Sequence, residues 1–262
     1  MAFRKVNENI LIRFNSKNSS DLLDRYEEYV KQCIQLDNSS KHNKTFAPSQ
    51  FACDRLSWFR LRGVLPDVSN NIDLQLDYSA KIGTACHEML QSRLSSMLGD
   101  CWIPVSEYLA NYPIAYPYSL EDSDNGLETL VTITEPPVRF ACDGIVLLNG
   151  KYYILEIKTS DYNSWVNLEG PKSRHIDQVK CYSSLLNIQD VMFIYQDRTY
   201  GQLKMYEVHF TTSDTIEVID KMKRILQAVD DGIAPDGLHN DSFWCNSNVC
   251  PYYKKCKEYG NY

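Results

Sequence analysis

Two carboxylates and an amine, Asp143, Glu156 and Lys158, flank an Asn149-Gly150 pair in the stretch VRFACDGIVLLNGKYYILEIKTS. Asn-Gly between apolar runs signals a two-residue hairpin, because both turn positions need positive φ. With that turn Leu148 pairs with Lys151, Asp143 falls opposite Glu156 and Ala141 opposite Lys158. The period of two then places Asp143, Glu156 and Lys158 on one face. Opposed like charges destabilise a sheet unless something neutralises them. A divalent cation of the Mg²⁺ or Mn²⁺ kind does so, and its carboxylate ligands suit the hydrolysis of a phosphoryl bond. The other reading is a solvated face on which two acids and a lysine neutralise one another. Phe140, Ile145, Val146, Tyr153, Ile154, Leu155 and Ile157 make the flanking strands very apolar for that.

Three further fragments extend the pattern: Gly83–His87 (GTACH) upstream, Glu156-Ile157-Lys158, and Gln178–Tyr182 (QVKCY) downstream. With Asp143 they resemble, in order and separation, the motifs of the PD-(D/E)XK nuclease superfamily, especially RecB-type nuclease domains, over about residues 49–256. The resemblance implies that His87, Asp143, Glu156 and the carbonyl of Ile157 bind Mg²⁺ or Mn²⁺, with Lys158 beside the attacking water. Gln178 contacts substrate or orders the site, and Tyr182 supports it. Taken singly, His87 also reads as a core histidine, and Gln178 and Tyr182 as a helix surface pair.

The tail CNSNVCPYYKKC spaces Cys245, Cys250 and Cys256 as C-x4-C-x5-C, with a Cys-Pro step of the kind found around iron–sulfur clusters. Three thiolates need a fourth, and Cys53, in a short aromatic stretch ahead of the hairpin, is the natural candidate. One cysteine upstream and three downstream is similar to the iron–sulfur nucleases of the RecB type, which include the AddB nuclease domain and CRISPR-associated adaptation exonucleases. That likeness implies a [4Fe-4S] cluster stapling the two ends of the domain, although the family's tail is often C-x2-C-x5-C. A structural zinc site made by the same four cysteines, or free thiols, remain the alternatives. Cys33, Cys86, Cys101, Cys142 and Cys181 lack ligand spacing and read as small buried hydrophobes.

Several elements must position these groups. A helix is expected near Ser20–Leu36, an aromatic-rich one over Ser49–Arg62 ended by Gly63, and one from Ile82 to Leu98 with His87 in its first turns. Residues 100–130 read as a loop or an edge strand. VTITEPP alternates like a strand, 172–187 reads as the helix carrying Gln178 and Tyr182, and VMFIYQ and LKMYEVHF as antiparallel strands. A helix from Ser213 to Val229 follows, with Asp214 and Glu217 spaced as a capping box and Gly232 at its end. The expected fold is α/β: a restriction-endonuclease-like mixed central sheet, containing the 138–158 hairpin and the 191–210 strands, flanked by helices. The division is an accessory helical segment over 1–48 and a nuclease domain over 49–262.

Composition narrows the remaining classes. Of 262 residues, 44% are hydrophobic and 23% charged, which excludes a disordered or low-complexity chain. No apolar run is long enough to span a membrane, and MAFRKVNENILIRF lacks the apolar core of a secretory signal, so a cytoplasmic protein is expected. A net charge of −7 argues against indiscriminate polyanion binding yet permits a local basic groove. Lys172, Arg174, His175 and Lys180, or Lys254, Lys255 and Lys257, could line it, with Trp165, Tyr252 and Tyr253 available to stack on bases. No G-x-x-x-x-G-K-[ST] loop is present, so a stand-alone enzyme is expected rather than a helicase. The resemblance implies a metal-dependent DNA exonuclease acting on single-stranded DNA or DNA ends in recombination, repair or phage or CRISPR DNA processing. A recombination or adaptation protein is the partner this implies. The alternative is a catalytically idle DNA-binding or adaptor protein that keeps the fold and the cluster. A ferredoxin-like electron carrier is disfavoured by the absence of a C-x2-C-x2-C run.

Overall fold

The structure, a computed structural model, describes residues 19–39, 44–67, 74–124, 126–238, 245–247 and 250–259. The polar lead-in over 1–18 and residues 40–43 of the loop before Pro48 lie outside them. The chain divides into a smaller unit, residues 1–42 with 68–81, and a larger one, residues 43–67 with 82–262. The smaller unit holds helix α1 (Ser19–Ser39). Among the described residues no helix is long and apolar enough to cross a membrane.

The larger unit is the mixed α/β architecture expected: a five-stranded mixed sheet flanked by helices. Its strands are β1 (Trp102–Ile103), β5 (Gly144–Leu148), β6 (Lys151–Ser160), β7 (Asp190–Asp197) and β8 (Leu203–His209), adjacent in that order. All neighbours are antiparallel except β6 and β7, which run parallel. The hairpin forms in the expected register, from Leu148 opposite Lys151 to Gly144 opposite Leu155. Its turn residues Asn149 and Gly150 take φ of 52° and 77°, the left-handed region this sequence pair tolerates.

The apolar run before the hairpin breaks where sequence reads it as continuous. Val138–Phe140 forms β4 of a separate three-stranded sheet with β2 (Tyr118–Asp122) and β3 (Thr129–Ile133). The chain crosses between sheets at Ala141–Asp143, so Ala141 does not pair with Lys158, and Asp143 stands one step beyond the ladder. The 100–130 region also holds more than a loop or edge strand, since helix α4 (Val105–Asn111) buries Val105, Tyr108 and Leu109.

Two helices cover the site from opposite faces. Alternation along β6 and β7 sends Ile154, Val191, Phe193 and Tyr195 into the larger core cluster, and Leu155, Ile157, Met192 and Ile194 into a smaller one. On the first face lies α6 (Ser173–Leu186), which buries Val179, Tyr182, Leu185 and Leu186 at helical spacing and ends at Asn187 in the left-handed region. On the second lies α3 (Leu74–Leu98), which reaches the smaller cluster through Leu90. Because α3 starts at Leu74, His87 is mid-helix rather than in the first turns. A side chain at Gly83 would meet Thr159 Oγ1 at 3.0 Å, so glycine lets α3 lie close on β6.

Helix α7 (Thr212–Asp230) packs Val218, Met222 and Ile225 inward. Its capping box is Thr211 with Asp214, one turn earlier than Asp214 with Glu217. The helix starts at Thr212, which leaves Glu217 free to meet Lys180 on α6. Helices α2 (Asp54–Leu61) and α8 (Tyr253–Glu258) meet through aromatic rings: Phe59 stacks on Tyr252 at 5.2 Å, and Trp58 and Phe59 both take the edge of Tyr259. Cys142 and Cys181 are buried as expected, whereas Cys33, Cys86 and Cys101 are only partly covered.

Candidate active site

The hairpin brings its two acids to one place by a route the ladder alone does not provide. Asp143 Oδ2 accepts the Ile157 amide at 2.5 Å, which fixes the carboxylate beside the start of the Glu156-Ile157-Lys158 triplet. Glu156 is 1% exposed, with one carboxylate oxygen against Lys158 Nζ and the other accepting from the Tyr182 hydroxyl. Lys158 Nζ also donates to Gln178 Oε1 at 3.3 Å. Gln178 and Tyr182, four residues apart on α6, thus each hold one member of the triplet.

On the other side, His87 Nε2 lies 3.6 Å from Asp143 Oδ1 and 3.6 Å from Glu128 Oε1. That nitrogen is enclosed and makes no hydrogen bond among the described residues. One ligand atom from each of His87, Glu128 and Asp143 lies within 4.8 Å of the other two, a set that could hold a metal ion. An imidazole nitrogen and two carboxylates suit Mn²⁺ or Mg²⁺, and the solitary nitrogen between them fits such an occupant.

Glu128 belongs to no motif legible in the sequence. It lies in the acidic stretch 121–128 just before β3, its carbonyl accepting from the Ser123 amide at 2.8 Å and its own amide donating to Ser123 Oγ. Gln91, one turn beyond His87 on α3, was equally hidden. It is 1% exposed, and its Nε2 donates to the carbonyls of Asp143 at 2.6 Å and Leu127 at 3.5 Å, pinning both segments that carry the acids. The usable signal was its i,i+4 spacing from His87.

The electrostatics match two acids that need a cation. Burial, then the charge of Asp143, raises the Glu156 pKa against the pull of Lys158. Asp143 is raised by burial too, opposed by His87, Lys158 and the Ile157 amide. Burial alone would lower His87, but Glu128 and Asp143 outweigh it and hold the imidazole above its ordinary value. Lys158 likewise stays above its ordinary value, because Glu156 and Asp143 outweigh its burial.

His175 shows the opposite behaviour. It is buried, its Nδ1 is 2.7 Å from the Tyr195 hydroxyl, and burial followed by the charges of Lys158, Arg174 and Lys172 pushes its pKa down to about 3. The unfolded chain takes up this proton near 6.5 while the folded chain does not until about 3. Stability is therefore lost as pH falls below 6.5, by roughly 2 kcal/mol at pH 5. Melts of wild type and His175→Gln at pH 7 and pH 5 check this: the variant should lose less on acidification, and equal losses would refute it.

The four cysteines also converge. Cys53 caps α2, and Cys256 lies in α8. Burial, then the neighbouring Cys256 and Cys53, raises the Cys245 thiol, and burial, helped by Cys53, Cys245 and Cys256, pushes Cys250 up to about 11. Buried Arg55 points its Nη1 at Cys256 Sγ, 3.7 Å away, while its Nε donates to the Pro235 carbonyl. Among the described residues no three of these sulfurs come within 4.8 Å of one another.

Of the residues considered for substrate contact, several are engaged elsewhere. Tyr252 is in the core, Trp165 donates to the Tyr195 carbonyl beneath Lys204, and Lys255 is tied to Asp67.

No protein-family model and no curated protein matches the chain. Solved structures do. SSO0001 is similar at 15% identity and a TM-score of 0.45, over 87% of this chain and 94% of that one. An alkaline exonuclease (LHK-Exo) from Laribacter hongkongensis is similar at 15% identity and a TM-score of 0.47, over 75% and 93% of the two chains. The structure of LHK-Exo in complex with dAMP gives 16% identity and a TM-score of 0.46, over 72% and 89%.

Proposed function

We propose that the protein is a metal-dependent deoxyribonuclease of the PD-(D/E)XK kind, an exonuclease acting on single-stranded DNA or DNA ends. The observation that carries this reading is the connected cluster of His87, Asp143, Glu156, Lys158, Gln178 and Tyr182, assembled from two helices and one hairpin around an enclosed imidazole nitrogen. An idle adaptor has no need to bury two acids against a lysine and leave that nitrogen unbonded.

In this reading His87, Asp143 and Glu128, together with Glu156 and the Ile157 carbonyl, would hold a Mg²⁺ or Mn²⁺ ion. When bound, the ion supplies positive charge to a phosphodiester oxygen and acidifies water. The chain's own groups do the rest. Lys158 puts its ammonium where charge builds on the attacked phosphoryl group. Gln178 offers that ammonium a second acceptor, so Glu156 can release it and still leave it aimed. Tyr182 keeps Glu156 in one rotamer through its hydroxyl, and Gln91 keeps the segments bearing Asp143 and Glu128 at a fixed separation.

The thiol seam is proposed to hold a structural [4Fe-4S] cluster through Cys53, Cys245, Cys250 and Cys256. Burial raises the thiols of Cys245 and Cys250, so a bound metal would favour their thiolates near neutral pH. A tetrahedral zinc at about 2.3 Å would draw its sulfurs to roughly 3.8 Å from one another.

The test is degradation of end-labelled linear and of circular single-stranded DNA by anaerobically purified protein with Mn²⁺ or Mg²⁺. Cleavage confined to linear DNA is expected. Cleavage of circles makes the enzyme an endonuclease, and no cleavage with either metal transfers support to the adaptor.

A further inference from the structure

Asp143 carries a carboxylate of the candidate cation site, yet its backbone lies where the chain leaves β4 for β5, and neither ladder reaches it. Two hydrogen bonds steady it, from the Ile157 amide to Oδ2 at 2.5 Å and from Gln91 Nε2 to its carbonyl at 2.6 Å. A third contact is made through the residue that follows. Gly144 is buried, and an ideal Cβ placed on it would come within 2.5 Å of Cη2, 2.7 Å of Cζ2 and 3.1 Å of Cζ3 of Trp102. The outer edge of an indole therefore lies directly on the backbone next to Asp143. Gly144 is not one of the glycines with positive φ, so what its missing side chain provides is room rather than conformational freedom.

Trp102 reaches Gly144 because of its register. β1 sets Trp102 opposite Val146, and the period of two puts Gly144 on the same face of β5, at the diagonal position that an aromatic side chain spans. The ring is itself held. It is 8% exposed and shares the smaller core cluster with Leu90 of α3 and with Ile157, whose amide holds Asp143. On the other side of Asp143, Cys142 is buried in the larger cluster. The chain enters β1 from the end of α3 through the short turn Gly99–Cys101. The helix that carries His87 thus reaches the Asp143-Gly144 peptide by two arms, Gln91 within it and Trp102 just past its end.

We propose that Trp102 is a positioning residue for the cation site: the reach of its indole, bearing on Gly144, sets where Asp143 stands relative to His87. This rests on the metal-binding role proposed above for His87, Asp143 and Glu128, and adds to it the group that fixes the spacing of those ligands. His87 Nε2 and Asp143 Oδ1 are 3.6 Å apart, and a small divalent cation tolerates little departure from its preferred ligand geometry.

The experiment measures Mn²⁺ affinity in the absence of DNA, by the electron paramagnetic resonance of free Mn²⁺, together with Tm. Wild type is compared with Gly144→Ala, Trp102→Phe, the double variant and His87→Ala. The methyl of Gly144→Ala has to displace either the buried ring or the Asp143-Gly144 peptide. Groups that orient metal ligands are typically worth about 10- to 100-fold in affinity, so a loss of at least about tenfold is expected. Trp102→Phe has a shorter ring that leaves Gly144 uncovered, and should also bind Mn²⁺ more weakly. In the double variant the added methyl takes space the indole vacates, and affinity should return to within about threefold of wild type. Wild-type affinity in Gly144→Ala, with or without a lower Tm, makes Trp102 a packing residue only and overturns the proposal. A double variant no better than Gly144→Ala overturns it as well. If Gly144→Ala does not fold, Trp102→Phe decides alone, and wild-type affinity there overturns it. Wild type that binds Mn²⁺ no more tightly than His87→Ala overturns the cation site itself, and the positioning role with it.

Discussion

Glu156→Gln should reduce Mn²⁺- or Mg²⁺-supported cleavage of linear single-stranded DNA by about 10³-fold or more while leaving the protein folded. The amide keeps the volume of the carboxylate and still accepts from Tyr182, so packing in this buried place is preserved. What disappears is the negative charge that balances Lys158 and, in the proposed reading, faces the cation. Deleting one preorganised electrostatic group typically costs 10²–10³-fold, and this residue serves two such groups. Because Glu156 and Lys158 act as a unit, Glu156→Gln combined with Lys158→Met should be scarcely worse than either alone. Single-turnover rates for the three variants decide it. A single variant within about tenfold of wild type, or additive losses in the double, would remove the pair from the chemistry.

The second large effect concerns stability. In the proposed reading Cys53 and Cys245 are joined, through whatever the four thiolates hold, across almost the whole larger unit. Treated as a cross-link closing that loop, the join is worth roughly 5 kcal/mol of chain entropy. For a domain of this size that corresponds to about 10–20 °C in Tm. Cys250→Ser should lower the Tm by that amount and, with an iron–sulfur cluster, abolish the visible chromophore and the bound iron. Zinc in place of iron by metal analysis would replace the cluster while keeping the staple. A Tm unchanged by the serine would mean that the aromatic contacts of Phe59, Trp58, Tyr252 and Tyr259 alone hold the tail.

The parts of this molecule that were legible are those governed by local chemistry. Asn149-Gly150 fixes a register because few other pairs accept two positive φ values, and that register runs to Gly144 opposite Leu155, one step short of Asp143 and Glu156. The 3.6-residue period on α6 aligned Gln178 with Tyr182, and its glycine-to-histidine counterpart on α3 placed His87 beyond Gly83. The illegible parts depend on contacts distant in sequence. Nothing in Phe140-Ala141-Cys142 says that the chain leaves one sheet for another, since both destinations are apolar. Glu128 looked like one acid among several until the three-stranded sheet set it opposite His87. The capping box was misplaced by one turn because Asp214 satisfies both patterns, and the bonds that Thr211 and Asp214 exchange separate them.

The arrangement of the cysteines also orders events during synthesis. Cys53 is made nearly two hundred residues before Cys245, and Cys256 follows last. Arg55, two positions after Cys53, must wait as long for its partners at Pro235 and Cys256. A nascent chain therefore carries Cys53 without the three later cysteines while both sheets and α3, α6 and α7 are being made. With the four thiolates as the proposed ligands, only a chain translated through residue 256 can be loaded with metal, so loading certifies that the intervening catalytic segments exist.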